Sequence, residues 1–253
     1  MTRLAVTGAT GRMGREVLAA AAGRDDLTVA FAVSRSPGEE VAGVAVEPSD
    51  DVDDLLATRD PDVLVDFTAP AASVASVRSC AAAGVPAVVG TTGFDEDQRA
   101  ALREASDEIA VLQASNFARG VAALRRALRE AVDALPGYDV ELTETHHNGK
   151  RDAPSGTART LLDDVDEARG EALDRVHGRE GDQPRSPGEV GVHARRAGDV
   201  AGEHEVLLAG NHETVALTHR AGSRGVFAEG ALDAATWLAG RESGWYDFAQ
   251  VLN

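Results

Sequence analysis

The chain is short of lysine, cysteine and aromatic residues, and each shortage excludes something. Lys and Arg together number 25 in 253 residues, and Lys150 is the only lysine. Asp and Glu number 42, for a formal net charge of −17. A surface that negative excludes a general nucleic-acid binder, which needs a basic face. The acidic residues are dispersed in runs such as DDVDD, DEDQ and DDVDE and form no single tail. The one cysteine, Cys80, cannot form an intramolecular disulfide, and the chain reads as cytoplasmic. No apolar run approaches the roughly 20 residues that span a bilayer, so no membrane partner is expected. The opening MTRLAVTGAT has neither the h-region nor the cleavage site of a signal peptide. Dispersed acid, scarce lysine and abundant Ala and Val resemble proteins of salt-rich cytoplasm, where screening reduces self-repulsion. Aromatics are 4% of the chain, yet Phe227, Trp237, Trp245, Tyr246 and Phe248 gather near its end, so that tail must dock on apolar surface.

What is present is a βα alternation. RLAVTG (3–8), LTVAFAV (27–33), VLVDFT (63–68), VPAVVG (85–90) and IAVLQASN (109–116) are short apolar runs. Helical stretches at 14–23, 70–84 and 95–108 separate most of them, while 34–60 is charged and weakly patterned. That pattern predicts a doubly wound, Rossmann-like α/β parallel sheet with helices on both faces. After Asn116 the texture changes. A long helix over 118–135 ends at Pro136-Gly137, and YDVELTETHH (138–147) alternates as a strand. A further helix opens at Pro154-Ser155-Gly156, and 171–188 reads as loop. EVGVHARRA, EHEVLLAG and ETVALTHRA (189–221) follow as three closely joined strands, expected to be antiparallel. The expectation is a dinucleotide-binding domain over 1–117, completed by the tail 224–253, and a central α+β domain over 118–223.

VTGATGRMG (6–14) stands at the first strand-to-helix junction, with glycines at 8, 11 and 14. Gly8 permits a tight turn, Gly11 lets backbone N–H groups approach a pyrophosphate, and Gly14 allows close helix–strand packing. Thr10 stands where the usual fingerprint has its second glycine. The ribose-reading position falls at the end of the second strand, where Ser34-Arg35 stands in place of a carboxylate. Arg35 can pair with a 2′-phosphate, so NADPH is expected to serve at least as well as NADH. GTTG (90–93) and ASNF (114–117) follow later strands and line the same end of the sheet.

ETHHNGKRDAPSGT (144–157) holds the lone lysine. Where positive charge is otherwise arginine, a lysine marks a site that needs a cation able to release a proton. Lys150 is therefore a candidate general acid. His146 and His147 titrate near neutrality, and on a strand they point to opposite faces. Pro154-Ser155-Gly156-Thr157 exposes N–H groups at a helix start, a natural seat for a small carboxylate. The other five histidines, at 177, 193, 204, 212 and 219, lack metal-ligand spacing and read as structural or surface residues; no metal is expected.

With GATGRMG, VDFTAP, VVGTTGFDE, ASNFARGV, ETHHNGKRDAPSGTA, RAGDVAGEHEV and ALDAATWLAGRESGWYD, the whole chain resembles the dihydrodipicolinate reductase family. The resemblance implies reduction of 4-hydroxy-tetrahydrodipicolinate by NADPH or NADH in the diaminopimelate route to lysine, by a homotetramer assembled through the central sheet. It assigns His146 as acid/base, Lys150 as proton donor, and His147, Ser155, Gly156, Thr157 and Arg224 as substrate contacts. It assigns the cofactor to Gly8, Ala9, Thr10, Gly11, Arg12 and Met13, to Gly90, Thr91 and Thr92, and to Ala114, Ser115, Asn116 and Phe117. Ser34 departs from the acidic residue of many relatives, and Ala69 from the basic residue of some. Two rivals stay open: another NAD(P)-dependent dehydrogenase on the same scaffold, and a non-catalytic dinucleotide-sensing regulator.

Overall fold

The computed structural model describes residues 1–252. In chain order the first elements are β1 (Thr2–Thr7), α1 (Arg12–Ala22), β2 (Leu27–Ser34), β3 (Glu40–Val41), β4 (Val44–Pro48), α2 (Val52–Arg59), β5 (Val63–Asp66), α3 (Pro70–Ala83), β6 (Ala87–Val89), α4 (Glu96–Ala105) and β7 (Ala110–Gln113). Then come α5 (Arg119–Ala134), β8 (Asp139–His146), α6 (Gly156–Arg169), β9 (Asp174–His177), β10 (Glu189–Arg196), β11 (Glu203–Gly210) and β12 (Glu213–Arg220). The chain closes with α7 (Gly225–Leu238) and β13 (Gly244–Tyr246). It divides into two compact units, Met1–Ala118 with the tail from Arg224, and Arg119–Ser223.

The first unit is built on an eight-stranded sheet ordered β13-β7-β6-β5-β1-β2-β4-β3, parallel except for the short β3–β4 pair. Its central strands β1, β5 and β6 are buried on both faces, which is why they read as unbroken apolar runs. On one face α2, α3 and α4 cover Ala5, Phe31, Val33, Leu64 and Val111. On the other, α1 packs against α7, which also lies on β5, β6 and β7. The tail thus supplies a helix and, through β13 on β7, an edge strand. Topology locates the functional end. From β1 the chain passes through α1 to β2 on one side, then returns through α2 to β5 on the other. The order reverses there, so the turns after β1 and β5 flank a crevice at the carboxyl ends of the strands.

The second unit carries a five-stranded sheet ordered β12-β11-β8-β10-β9. Here α5 and α6 pack together over Leu142, Val192, Val206 and Leu208. Two expectations are corrected. The three late strands are not all antiparallel neighbours: β11 and β12 form a hairpin, but β10 runs parallel to β8, and β8 separates it from β11. The hairpin is set by a two-residue turn in which Asn211 and His212 have φ of 48° and 63°, matching the twist of the flanking strands. Within 171–188, read as loop, Asp174–His177 forms β9 by pairing with β10. The weakly patterned 34–60 holds β3, β4 and α2.

Candidate active site

At the first unit's crevice, the start of α1 suits a dinucleotide's phosphates. Gly11 caps the helix with no side-chain hydrogen bond, and its first turn has no acidic residue. Those N–H groups and the helix dipole favour an anion. Close approach is built in. Gly8 has φ +78°, and a Cβ there would stand 2.3 Å from the Phe67 carbonyl oxygen; a Cβ on Gly14 would stand 2.2 Å from that of Gly8. Met13 is half-buried, while Arg12 and Arg35 are exposed. Ser34 is buried and its Oγ lies 2.6 Å from Thr10 Oγ1, so two hydroxyls meet where a ribose-reading carboxylate would stand.

Beneath this rim is a residue that sequence reasoning passed over. Asp66 ends β5 fully buried. Its carboxylate accepts from Thr7 Oγ1 at 2.7 Å, Thr68 Oγ1 at 2.7 Å and Thr91 Oγ1 at 2.6 Å. Thr91 Oγ1 in turn accepts the Thr68 N–H at 2.8 Å. One carboxylate therefore ties together the loops after β1, β5 and β6. The signal was there: a single Asp closing the apolar run VLVD. Three residues singled out for the cofactor turn their side chains inward. Thr91 serves this network, Ala9 is in the core, and the Phe117 ring packs edge-on between Phe67 and Phe248. The Gly90 and Ala114 N–H groups are bonded within the sheet, to the carbonyls of Asp66 and Val89. Thr92 and Ser115 are exposed, and Asn116 accepts the Ala118 N–H at 2.8 Å.

The second unit gathers the candidate acid groups around the end of β8. His146 is its last residue, with Nδ1 2.6 Å from Glu144 Oε2. Glu144 is fully buried and accepts a two-pronged contact from Arg196, Nη1 to Oε2 and Nη2 to Oε1, each at 2.8 Å. The Ser155 N–H is a fourth donor, 3.1 Å from Oε1. Burial alone would raise the Glu144 pKa, but the Arg196 guanidinium and His146 outweigh it and hold it below the usual carboxylate range. Burial pushes the His146 imidazole below its ordinary value, partly opposed by Glu144. His204 lies edge-on to His146 with ring centroids 5.1 Å apart, and its Nε2 is 3.0 Å from Ser155 Oγ. Burial first, then the nearby His146, pushes His204 down to about 4.

His147 is half-buried just beyond the strand. Lys150 follows after a turn closed by its own N–H on the His147 carbonyl, and its Nζ is 2.8 Å from Asp152 Oδ1. Its side chain is 21% exposed, and the amine is paired with an exposed carboxylate. Asp152 is held from behind: its carbonyl accepts from Arg196 Nη2 at 2.6 Å. Ser155 caps α6, accepting the Ala158 N–H at 3.1 Å. Its own N–H and hydroxyl are both used inside the protein, because the buried Glu144 and His204 need partners. Gly156 and Thr157 form the first turn of α6 and are half-buried. Thus His146, His147, Lys150, Ser155, Gly156 and Thr157 come together in one unit. Arg224 belongs to the other, at the start of α7.

Comparison with known proteins agrees over the full length. Sequence models of the dihydrodipicolinate reductase N-terminus and C-terminus match residues 2–117 and 120–252. The 4-hydroxy-tetrahydrodipicolinate reductase of Natronomonas pharaonis is 60% identical over 247 residues, covering 98% of each chain. That of Haloarcula marismortui is 53% identical over 253 residues, covering all of both. Among solved structures, a dipicolinate-bound dihydrodipicolinate reductase from a Paenisporosarcina species shares the fold, with TM-score 0.82 and 23% identity over 98% of this chain and 97% of that one. An open parallel sheet with a glycine turn, a second unit bearing the His-His-Lys segment, and end-to-end likeness to these reductases lead to one conclusion: the chain belongs to the dihydrodipicolinate reductase family, whose members are NAD(P)H-dependent oxidoreductases.

Proposed function

We propose that the second unit holds 4-hydroxy-tetrahydrodipicolinate for reduction, with Lys150 and His146 handling the proton and the start of α6 receiving a carboxylate. NAD(P)H, when bound, supplies a hydride to C4 of the ring. C4 can accept it once the C4 hydroxyl has left as water with a hydrogen from the neighbouring ring carbon, and that neighbouring carbon takes up one proton after the hydride adds. The Lys150 ammonium carries such a proton, and its place in the chain, where every other basic side chain is a guanidinium, supports that role. His146 complements it. A carboxylate only accepts, so Glu144 keeps the hydrogen on Nδ1, and with its pKa lowered the ring is neutral near pH 7 and presents the Nε2 lone pair. That atom can hold a hydrogen bond to the substrate and take or return a proton. The N–H groups of Gly156 and Thr157 and the dipole of α6 suit an anionic carboxylate, and His147 adds a side-chain contact. Dipicolinate, the ligand in the name of the Paenisporosarcina structure, is a ring of this kind with two carboxylates.

The observation that carries this reading is that His146, Lys150 and the start of α6 are tied by shared partners: Glu144 contacts His146 and Ser155, and Arg196 contacts Glu144 and Asp152. Loss of absorbance at the nicotinamide band with freshly made substrate tests it. Lys150→Ala should lower kcat by about 10²-fold or more, as expected for loss of a positioned acid. Cofactor binding with no turnover by the wild type would favour the sensing regulator instead.

The same reading extends to cofactor choice and assembly. With Ser34 neutral and Arg35 exposed beside it, a 2′-phosphate meets no carboxylate, and NADPH serves at least as well as NADH. The face of the second sheet away from α5 and α6 carries half-exposed Thr143, Leu207 and Ala209, a surface suited to pairing with other copies in a homotetramer. Sedimentation at several protein concentrations tests that assembly. The cytoplasm, where the reduced cofactor is made, is the proposed location.

A further inference from the structure

We infer that the Glu144–Arg196 pair is a positioning device that sets both the tautomer of His146 and its spacing from Lys150. The inference rests on the proposed roles of those two groups, and neither Glu144 nor Arg196 is offered as a catalytic residue. Three observations carry it. First, Glu144 is fully buried and takes four donors, from His146, Arg196 twice, and Ser155, so every strong acceptor direction is in use. Such a carboxylate cannot donate, and His146 Nδ1 must hold the hydrogen. Second, a glycine leaves room beside the ring's other nitrogen. A Cβ at Gly202 would come within 3.1 Å of His146 Nε2, so a side chain there would press on that nitrogen. Third, Arg196 does more than neutralise Glu144. Its Nη2 also donates to the Asp152 carbonyl, and the Asp152 carboxylate holds the Lys150 amine. One guanidinium, reaching over from β10, thus connects the anchor of His146 to the anchor of Lys150. β10 is fixed for this task, with Arg196 paired to His146 in the strand register and the Ala197 N–H on the His146 carbonyl at 2.9 Å.

A lysine at 196 could neutralise Glu144 but could not span both carboxylate oxygens and a carbonyl. The charged or titratable groups facing His146 are Glu144 on its own strand, Arg196 on β10, His204 on β11, and Lys150 in the following turn. Of these only Glu144 favours a cationic ring, so its loss moves the His146 titration to lower pH.

The test uses full-length protein with saturating cofactor and compares Glu144→Gln, Arg196→Lys, His146→Ala and Lys150→Ala with the wild type. Glu144→Gln and Arg196→Lys should each lower kcat by about 10- to 100-fold, the usual range for residues supporting a site from behind, with KM moving less. The acid limb of the kcat profile should move down in pH for Glu144→Gln. Imidazole ¹⁵N shifts, assigned with a His146→Gln sample, should show hydrogen on Nδ1 in the wild type at pH 7.5 and a mixture in Glu144→Gln. If Glu144→Gln and Arg196→Lys keep wild-type kcat, pH limb and tautomer while His146→Ala and Lys150→Ala lose turnover, the positioning role is wrong and the site reading stands. Full turnover by His146→Ala would overturn both. Should neither positioning variant fold, the wild-type spectrum decides alone, and hydrogen on Nε2 of His146 overturns the inference.

Discussion

Lys150 allows a sharper experiment than its removal. Replacing it by arginine keeps a cation within reach of Asp152, so the ion pair at 2.8 Å and the attraction for a dicarboxylate have a substitute. What is lost is an acid that can release a proton, since the guanidinium stays charged at any working pH. Lys150→Arg should therefore leave KM within a few fold while kcat falls by about 10²-fold, the scale of a missing general acid. An unchanged kcat, with or without a raised KM, would mean that Lys150 only holds substrate. A second single-residue test concerns the nucleotide. Ser34→Asp puts a carboxylate 24 residues after Thr10, where its hydroxyl is the present neighbour. It should raise the ratio of kcat/KM for NADH over NADPH by about 10-fold or more, by bonding the 2′-hydroxyl and repelling the 2′-phosphate. An unchanged ratio would show that Arg35 and Arg12 govern the choice without help from position 34.

The elements differ in how far the chain alone announced them, and the reason is where their partners lie. α1, α3 and α4 were legible because their stop signals and caps are local, as in the Asp95–Gln98 capping box that opens α4. The strands β1, β5 and β7 were legible as unbroken apolar runs, which doubly covered strands require. By contrast, β9 has no alternation of its own and exists through its pairing with β10. The placement of β10 could not be read at all, because short links suggest a meander and only the assembled sheet shows β8 between β10 and β11. The site follows the same division. His146, Lys150 and the cap at Ser155 sit in one segment. The i, i+2 spacing of Glu144 and His146 in an alternating strand was also available to the reader of the sequence. Arg196 was not, since it meets Glu144 only across the β8–β10 register. The distinction between local and packed features is testable at two helix starts. Asp95→Ala should cost about 1 kcal/mol of stability and leave nucleotide affinity alone. Gly14→Ala forces a Cβ to 2.2 Å from a backbone oxygen and 2.8 Å from the Ala9 Cα, so the glycine turn itself must shift. It should destabilise by about 1–3 kcal/mol and also weaken NADPH binding, as titration calorimetry would show. Intact affinity in Gly14→Ala would detach the turn from the cofactor.

At the scale of the molecule, the second unit sets a row of imidazoles across neighbouring strands, with His146 on β8 and His204 on β11 buried, His219 on β12 half-buried, and His204 and His219 directly paired in register. All three have pKa values pushed down, burial being the largest cause for each. His204 and His219 each bury an Nδ1 with no hydrogen-bond partner, so a proton added there has no acceptor in the protein. The consequence for stability has a definite sign. In the unfolded chain these rings titrate near 6.5, whereas folded His204 titrates at about 4. Between those values the unfolded state binds more protons, so stability is fully present above pH 6.5 and is lost as pH falls toward 4. For His204 alone the loss is about 3 kcal/mol across the window, and His219 and His146 add to it with the same sign. Glu144 also loses stability on acidification, but its depressed pKa confines that to the range below an ordinary carboxylate. The formal net charge of −17 adds a self-repulsion of its own, which salt screens. Urea melts at pH 7.5 and pH 5, both at high salt to screen that charge, should show the midpoint falling on acidification. His204→Gln, which retains an amide able to meet Ser155 Oγ and cannot be protonated, should fall by visibly less. A wild-type midpoint that is the same at both pH values would mean that the imidazoles reach water in the native state, and that burial does not set their charge.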